Sequence, residues 1–492
     1  MSILSRRSFV RTAALGSVGL ALKSQSSAQS AKLPRKPNLV VFLPDQHRND
    51  TLACYGARHV YAPNLDKFAS QSVVFQQAFV THPLCVPSRS SLMTGTWPHA
   101  NGCTRNGIRL EPHFRCLPEL IGDRDYRCGY MGKWHLSHER EAQHGFQEWV
   151  SIDNKDESDY GKFLVSKGLK PDNKAYFTDE FASKLPIENS KPRFLEAKAC
   201  EFLDRHKNEP FVLFVAFLEP HPPFNGPRND EYQLDQIDLD PSSDHNFGDD
   251  MPLRYRLRQE FDIKTYGGSR DDFLKIKQKY LGLVTEIDQS IGAILAKLEA
   301  LGIADNTIVM HTSDHGEMMG AHRLIQKEVF FQEAARVPYI VRMPGQQRAI
   351  SVTQPISHID FAPTIVDLLG RPSHEQCVGK SRAPLLRGES MLPETVFVEW
   401  APNDKPKFVE GTKLATPAEI DRAVNERSRA AIAPDGWKLC LRDSDKNELY
   451  NLKADPGERR NLYDHADARE AQTRLTGELH KWQESVHDTV KI

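Results

Sequence analysis

The chain of 492 residues predicts an α/β protein with a smaller α+β unit at its C-terminal end. Three observations carry this. Short apolar, β-rich runs recur, and each hands polar residues to its C-terminal end: Asn38 to Leu43 leads to Asp45, Phe211 to Leu218 to His221, and Thr307 to His311 to Asp314 and His315. Helical periodicity lies between such runs. After about Gly370 the pattern changes to short strands separated by turn residues.

Taken in order, the first element is an address. Twin arginines in "SRRSFVR" (Ser5 to Arg11) precede the short apolar stretch "TAALGSVGLAL" and small residues that offer Ala28 or Ala31 as a cleavage point. This is similar to a bacterial twin-arginine export signal, which predicts residues 1–31 as a signal peptide, the twin-arginine translocase as a partner and a periplasmic or secreted protein. The apolar stretch is shorter than the roughly 20 residues of a membrane span. No stable membrane anchor is expected. The three apolar runs then read as central strands of an open sheet, whose C-terminal edge is where ligands bind. Lys277 to Leu301 reads as one long amphipathic helix and Ile359 to Leu369 as another. Ser151 to Arg193 and Asn225 to Asp272 are polar with weak periodicity and read as insertions over one end of the sheet. Residues 32–372 form the expected catalytic unit. The C-terminal unit, 373–492, takes "TVFVEW", "AAIAPDGWKLCLRD" and "NELYNL" as strands and a helix from about Ala468 to Val486.

Composition narrows the class. With 39% hydrophobic residues, 26% charged residues and a formal net charge of -2, bulk attraction to nucleic acid or to an anionic membrane is not expected. Anion chemistry must come from a few placed groups. Of the eight cysteines, setting Cys85 aside leaves an odd number, and Cys103, Cys116 and Cys128 are close enough in sequence for a local bridge.

Cys85 stands apart because of its neighbours. "CVPSRSSLMTG" sets Pro87, Ser88 and Arg89 behind it and closes on Thr94-Gly95, neighbours that a buried structural cysteine does not need, whereas a zinc ligand would want a second cysteine or a histidine close by. This stretch resembles the signature of the formylglycine-dependent sulfatases. "APNLDKFA" (Ala62 to Ala69), "GKWH" (Gly132 to His135), "SDHGE" (Ser313 to Glu317) and "ELYNLKADPGERRNL" recur in that family in the same order, so the resemblance spans most of the mature chain.

The resemblance implies an alkaline-phosphatase-like fold, a large mixed sheet flanked by helices with a smaller C-terminal antiparallel-sheet subdomain. It implies that a formylglycine-generating enzyme converts Cys85 to 3-oxoalanine, whose hydrate is the nucleophile. It places Asp45, Gln46, Asp314, His315 and the converted Cys85 around one divalent cation. Calcium is the first choice, with manganese or magnesium as alternatives, because many family members have a second aspartate where this chain has Gln46 and an asparagine where it has His315. Lys133 and Lys327 are expected to pair with sulfate oxygens and Arg89 to hydrogen-bond the hydrate. His135 is expected as a base, His221 as an acid or sulfate ligand on the leaving-group side, and His322 as a substrate contact. The expected activity is hydrolysis of organic sulfate esters, with sulfated carbohydrates as the expected substrates. The alternative is a phosphonate monoester or phosphodiester hydrolase, since relatives with that activity share the Asp-Gln and Asp-His pairs. A silent glycan binder would leave catalytic positions unfilled, and all are filled.

Overall fold

The structure is a computed structural model that describes residues 36–153, 155–170, 179–403 and 406–492. The expected export signal lies outside the described residues. The large sheet is built from β1 (Asn38–Phe42), β2 (Val73–Phe75), β3 (Arg127–Gly132), β4 (Glu148–Val150), β5 (Phe211–Ala216), β6 (Thr307–Thr312), β7 (Tyr339–Arg342) and β8 (Ile350–Val352). Its order is β8-β2-β7-β6-β1-β5-β3-β4. β7 runs antiparallel to both neighbours, β2 and β6, and the remaining pairs are parallel. The sheet is therefore mixed, as expected.

β1 sits at its centre, with Phe42 opposite Val215 of β5 and His311 of β6. Every residue of β1, β5 and β6 is buried, which explains why these strands read as continuous apolar runs. Side-chain alternation assigns their residues to two cores. Leu39 and Val41 pack with Leu92 and Met93 of α1 (Cys85–Thr94). Val40 and Phe42 pack on the other face, with Phe202 of α2 (Lys191–His206) and Ile287 and Ile291 further along the chain.

Two helices differ from the sequence reading, each for a physical reason. The segment 225–272 contains α3 (Leu253–Tyr266), whose buried face includes Arg254, Arg258 and Asp262. Their four-residue spacing is helical, but their charge removes the apolar period that would announce a helix. Arg258 Nε donates to Asp262 Oδ1 at 3.0 Å, which pairs two of these three charges. The long helix, α4 (Arg270–Ala300), starts well before Lys277 because Ser269 and Asp272 form a capping box, with Asp272 N donating to Ser269 Oγ at 3.2 Å.

The C-terminal unit is a four-stranded antiparallel sheet of β9 (Val396–Trp400), β10 (Ser428–Ile432), β11 (Trp437–Arg442) and β12 (Glu448–Asn451), in sequential order. A terminal helix, Arg469–Val486, covers it through Leu475 and Leu479. Val398 and Ala430 join the same apolar cluster as β1, so the two sheets share one core. All eight cysteines are unbridged, so the local bridge that the spacing of Cys103, Cys116 and Cys128 would allow is not formed. Among the described residues no helix is long and apolar enough to cross a membrane.

Glu286 of α4 is buried, and desolvation, reinforced by the charge of Glu219, pushes its carboxyl up to about 8. Its folded value lies above its ordinary one, so its contribution to stability is complete below about pH 4.5 and is lost as pH rises through about 8. Glu286→Gln should therefore gain thermal stability over wild type at pH 8 and little at pH 5. Equal differences in Tm at the two pH values would refute this.

Candidate active site and metal centre

Each cluster residue is delivered by a strand end or a helix start. Beyond β1, Leu43 N donates to Val215 O at 3.0 Å and Asp45 N to Phe217 O at 3.1 Å, which extends the ladder and fixes Asp45 against β5. Beyond β6, Ser313 Oγ donates to Pro44 O at 2.9 Å and accepts from His47 N at 2.8 Å, tying the two strand ends together. At the end of β3, Gly132 is at φ 112°, and a Cβ there would lie 1.9 Å from Ala216 O. Only glycine fits, and the turn aims Lys133 across the edge of β5. Cys85 is the first residue of α1, whose N-terminal N–H groups favour negative charge.

Asp45, Cys85, Asp314 and His315 are all buried, and each offers a ligand atom within 4.8 Å of the others. Asp45 Oδ1 has no hydrogen-bond partner, an orphaned carboxylate oxygen at the centre of the group. His315 donates from Nδ1 to Gly316 O at 3.0 Å, which turns Nε2 inward, 3.1 Å from Cys85 Sγ and 3.7 Å from Asp314 Oδ1, where it can coordinate once it has given up its proton. Two carboxylates, an imidazole nitrogen turned inward and an unpartnered oxygen fit a divalent cation.

Beneath the cluster, Arg89 lies one helical turn after Cys85. Its Nε donates to Asp314 Oδ2 at 2.7 Å, Nη2 to Asp45 Oδ2 at 3.3 Å and Nη1 to Lys133 O at 2.6 Å. Arg89 was expected to hydrogen-bond the hydrate, and its guanidinium holds both carboxylates. Lys133 Nζ donates to Asp45 and stands 3.8 Å from Cys85 Sγ. The rings of His135 and His221 are both within hydrogen-bonding reach of Cys85. Burial alone would push the Cys85 thiol up, but Lys133, Lys327 and His315 outweigh it and hold it well below the usual thiol range. The site is a socket for an anionic atom at position 85. Burial, helped by Lys327 and Lys133, lowers His221 to about 4.

Gln46 reaches the same region differently from the expectation of a ligand. Its backbone N donates to Asp314 Oδ1 at 3.0 Å, while its amide accepts from Lys327 Nζ and donates to Glu317. His322 stands apart. Its ring stacks on Phe331 with centroids 3.9 Å apart, Nδ1 meets His245 Nδ1 at 2.9 Å, and it does not line the cleft beside the cluster. That cleft, of about 570 Å³, is lined by His221, Phe224, Asn225, Lys279, Lys327 and Asn106 among others. Cavities of about 510 and 680 Å³ elsewhere are lined by neither His221 nor Lys327. Tyr130, whose hydroxyl donates to Lys133 O at 2.6 Å, and Glu317 were given no role from sequence. Glu317 was signalled only by its place in "SDHGE".

A mixed sheet with a buried cysteine at a helix start, set among two carboxylates, a histidine and two lysines, defines a hydrolase of anionic esters. The family model described as Sulfatase matches residues 37–371, and the chain belongs to that family of sulfuric ester hydrolases. It is similar to the N-acetylglucosamine-6-O-sulfatase of Bacteroides thetaiotaomicron, 27% identical over 95% of this chain and 90% of the relative. It is also similar to the ulvan-active sulfatase of Formosa agariphila, 31% identical over 68% of this chain and 62% of that protein. In fold it resembles a phosphonate monoester hydrolase of Silicibacter pomeroyi, with a TM-score of 0.78, 21% identity and coverage of 92% of this chain and 96% of the other.

Asp314→Ala should lose the bound cation, whereas Gln46→Ala should keep measurable metal, because only the former removes a carboxylate from the cluster. Metal content of the purified variants checks this, and equal loss from both would reverse the ranking.

Proposed function

We propose that the chain is an exported sulfatase that removes sulfate from sulfated carbohydrates. The observation that supports it best is the placement of Cys85 at a helix start, facing Asp45, Asp314 and His315 and flanked by Lys133 and the histidines. In this reading a formylglycine-generating enzyme oxidises Cys85, and the twin-arginine translocase carries the folded protein to the periplasm or beyond. Asp45, Asp314 and His315 hold one divalent cation together with the converted residue 85, with Gln46 at the rim of the set. Calcium is favoured by the oxygen ligands, and the imidazole admits manganese or magnesium.

The hydrated aldehyde supplies two hydroxyls on one carbon, one to attack sulfur and one to let sulfate go, and the cation supplies positive charge that makes the attacking hydroxyl more acidic. The chain's own residues do the rest. Lys133 and Lys327 hold sulfate oxygens as point charges, opposing the repulsion between an anionic ester and an anionic nucleophile. Arg89 keeps Asp45 and Asp314 fixed and favours their charged forms. His221 is oriented by its Nδ1–H bond to Pro222 O at 2.6 Å, so Nε2 is the nitrogen presented to the leaving-group oxygen, and the anionic ester, once bound, raises the ring from about 4 so that Nε2 carries the proton it gives. His135 takes the proton of the second hydroxyl so that sulfate departs.

This division of labour separates the two histidines by step. His135→Ala should still release alcohol in a burst and then turn over slowly, while His221→Ala should show no burst and lose more on sugar sulfates than on nitrophenyl sulfate. A loss of about 10²–10⁴-fold is the expected scale for a proton-transfer group. A burst from His221→Ala would overturn the assignment.

Conversion of Cys85 is checked by peptide mass spectrometry of active protein, and Cys85→Ala should abolish turnover while leaving the fold intact. Active protein carrying only the thiol at position 85 would exclude the mechanism. The second reading, a phosphonate monoester or phosphodiester hydrolase, is favoured by the pairing of Gln46 with Asp45 and His315 with Asp314 and by the fold shared with such an enzyme. Side-by-side kcat/KM values on aryl sulfate and aryl phosphonate esters decide between them.

A further inference from the structure

Glu317 is fully buried two residues beyond His315, yet among the described residues no lysine or arginine forms an ion pair with it. Its partners are all neutral donors. One oxygen accepts from the Gln46 side-chain amide, and the other accepts from Met319 N at 3.0 Å and from Gln326 N. The opposite end of the same amide accepts from Lys327 Nζ. A carboxylate, an amide and an ammonium thus stand in line, and the carboxylate decides which way the amide points. Were Gln46 to flip, its NH₂ would face the Lys327 ammonium and its oxygen would face Glu317, two repulsive contacts in a buried site.

The segment carrying Lys327 is held in an unusual backbone shape. Gln326 and Glu328, on either side, have φ 71° and 79°, left-handed values that non-glycine residues adopt only when their surroundings impose them. The surroundings here are Glu317 accepting from Gln326 N, Met318 N donating to Gln326 O at 2.7 Å, and Glu328 N donating to Pro83 O at 3.1 Å. Gln46 is itself left-handed, at φ 68°, with its carbonyl accepting from Tyr280 Oη at 2.7 Å. Both ends of the Lys327 contact are therefore fixed, and Glu317 holds both.

We propose that Glu317 is a positioning residue for Lys327, fixing that ammonium through Gln46 and through the Gln326 backbone without touching substrate. The inference rests on the reading of Lys327 as a contact to sulfate. It assigns the last residue of "SDHGE" a task distinct from the cation site formed by Asp314 and His315.

The test is a double-mutant cycle of Glu317→Gln and Lys327→Ala on the full-length protein. Inorganic sulfate binding by titration calorimetry, kinetics on 4-nitrophenyl sulfate and metal content are measured for each variant. Glu317→Gln should weaken sulfate binding about tenfold or more and raise KM more than it lowers kcat, as expected for a misplaced charged hydrogen bond. The double variant should bind sulfate within about twofold of Lys327→Ala alone. Glu317→Asp keeps the charge but withdraws the reach to Gln46, and should fall between wild type and Glu317→Gln. Losses that multiply in the double variant, wild-type sulfate binding by Glu317→Gln or Glu317→Asp, or loss of the cation from Glu317→Gln would each overturn the proposal. Failure of the underlying sulfatase reading has a different signature, wild type and Lys327→Ala binding sulfate alike, and that result would also remove the proposal.

Discussion

The site depends on one guanidinium. Arg89 donates to Asp314, to Asp45 and to the Lys133 carbonyl, and so ties the ends of β6, β1 and β3 to the helix that begins with Cys85. Without it two buried carboxylates would face each other in a medium that screens charge poorly, and one would hold a proton instead of a cation. Buried ion pairs are retained at a net gain only when every donor and acceptor is satisfied. Here the Tyr130 hydroxyl bonds the same Lys133 carbonyl, and the Asp45 Oδ1 atom is the one carboxylate oxygen left over, turned toward the cation site.

Around this frame the charge is arranged for an anion. Lys133 and His315 approach Cys85 directly, Lys327 adds to their field, and the N-terminus of α1 points the same way. The chain as a whole carries a net charge of -2, so this field is local and owes its strength to burial. His221 and Lys327 belong both to the site and to the wall of the cleft beside it.

The smaller sheet supports the larger one where the nucleophile is carried. Glu399 N of β9 donates to Thr81 O at 2.8 Å, Ala401 N donates to His82 Nε2 at 3.3 Å, and the His82 ring packs on Trp400 with centroids 5.0 Å apart. These contacts brace the loop that leads into Cys85. Asn403 Nδ2 donates to Glu328 Oε1 at 2.9 Å and braces the loop after Lys327 in the same way. The C-terminal unit, which the family match of residues 37–371 leaves out, thus helps hold two pieces of the site.

The apolar runs of β1, β5 and β6, the polar residues at their ends and the neighbourhood of Cys85 were legible in the sequence because each is a local pattern. A continuous apolar run reports a strand buried on both faces, and Cys85, Pro87 and Arg89 lie within one turn and a half of helix. The strand pattern put Asp45, Asp314 and His315 on one edge of the sheet, but that they share a cation was available only through the resemblance, since Asp45 is about 270 positions from the other two and nothing in the spacing joins them. Tertiary structure alone decided the rest. α3 buries charges, which carry no apolar period, and the early start of α4 depends on a cap that polar composition obscured. The amide of Gln46 points to Lys327 and Glu317 because those groups arrive from a distant loop and fix its orientation. Short-range pattern determines which segments form strands and which residues stand at their ends. Which of those residues meet, and which atom each turns toward the other, is set by hydrogen bonds and ion pairs between segments far apart in the chain.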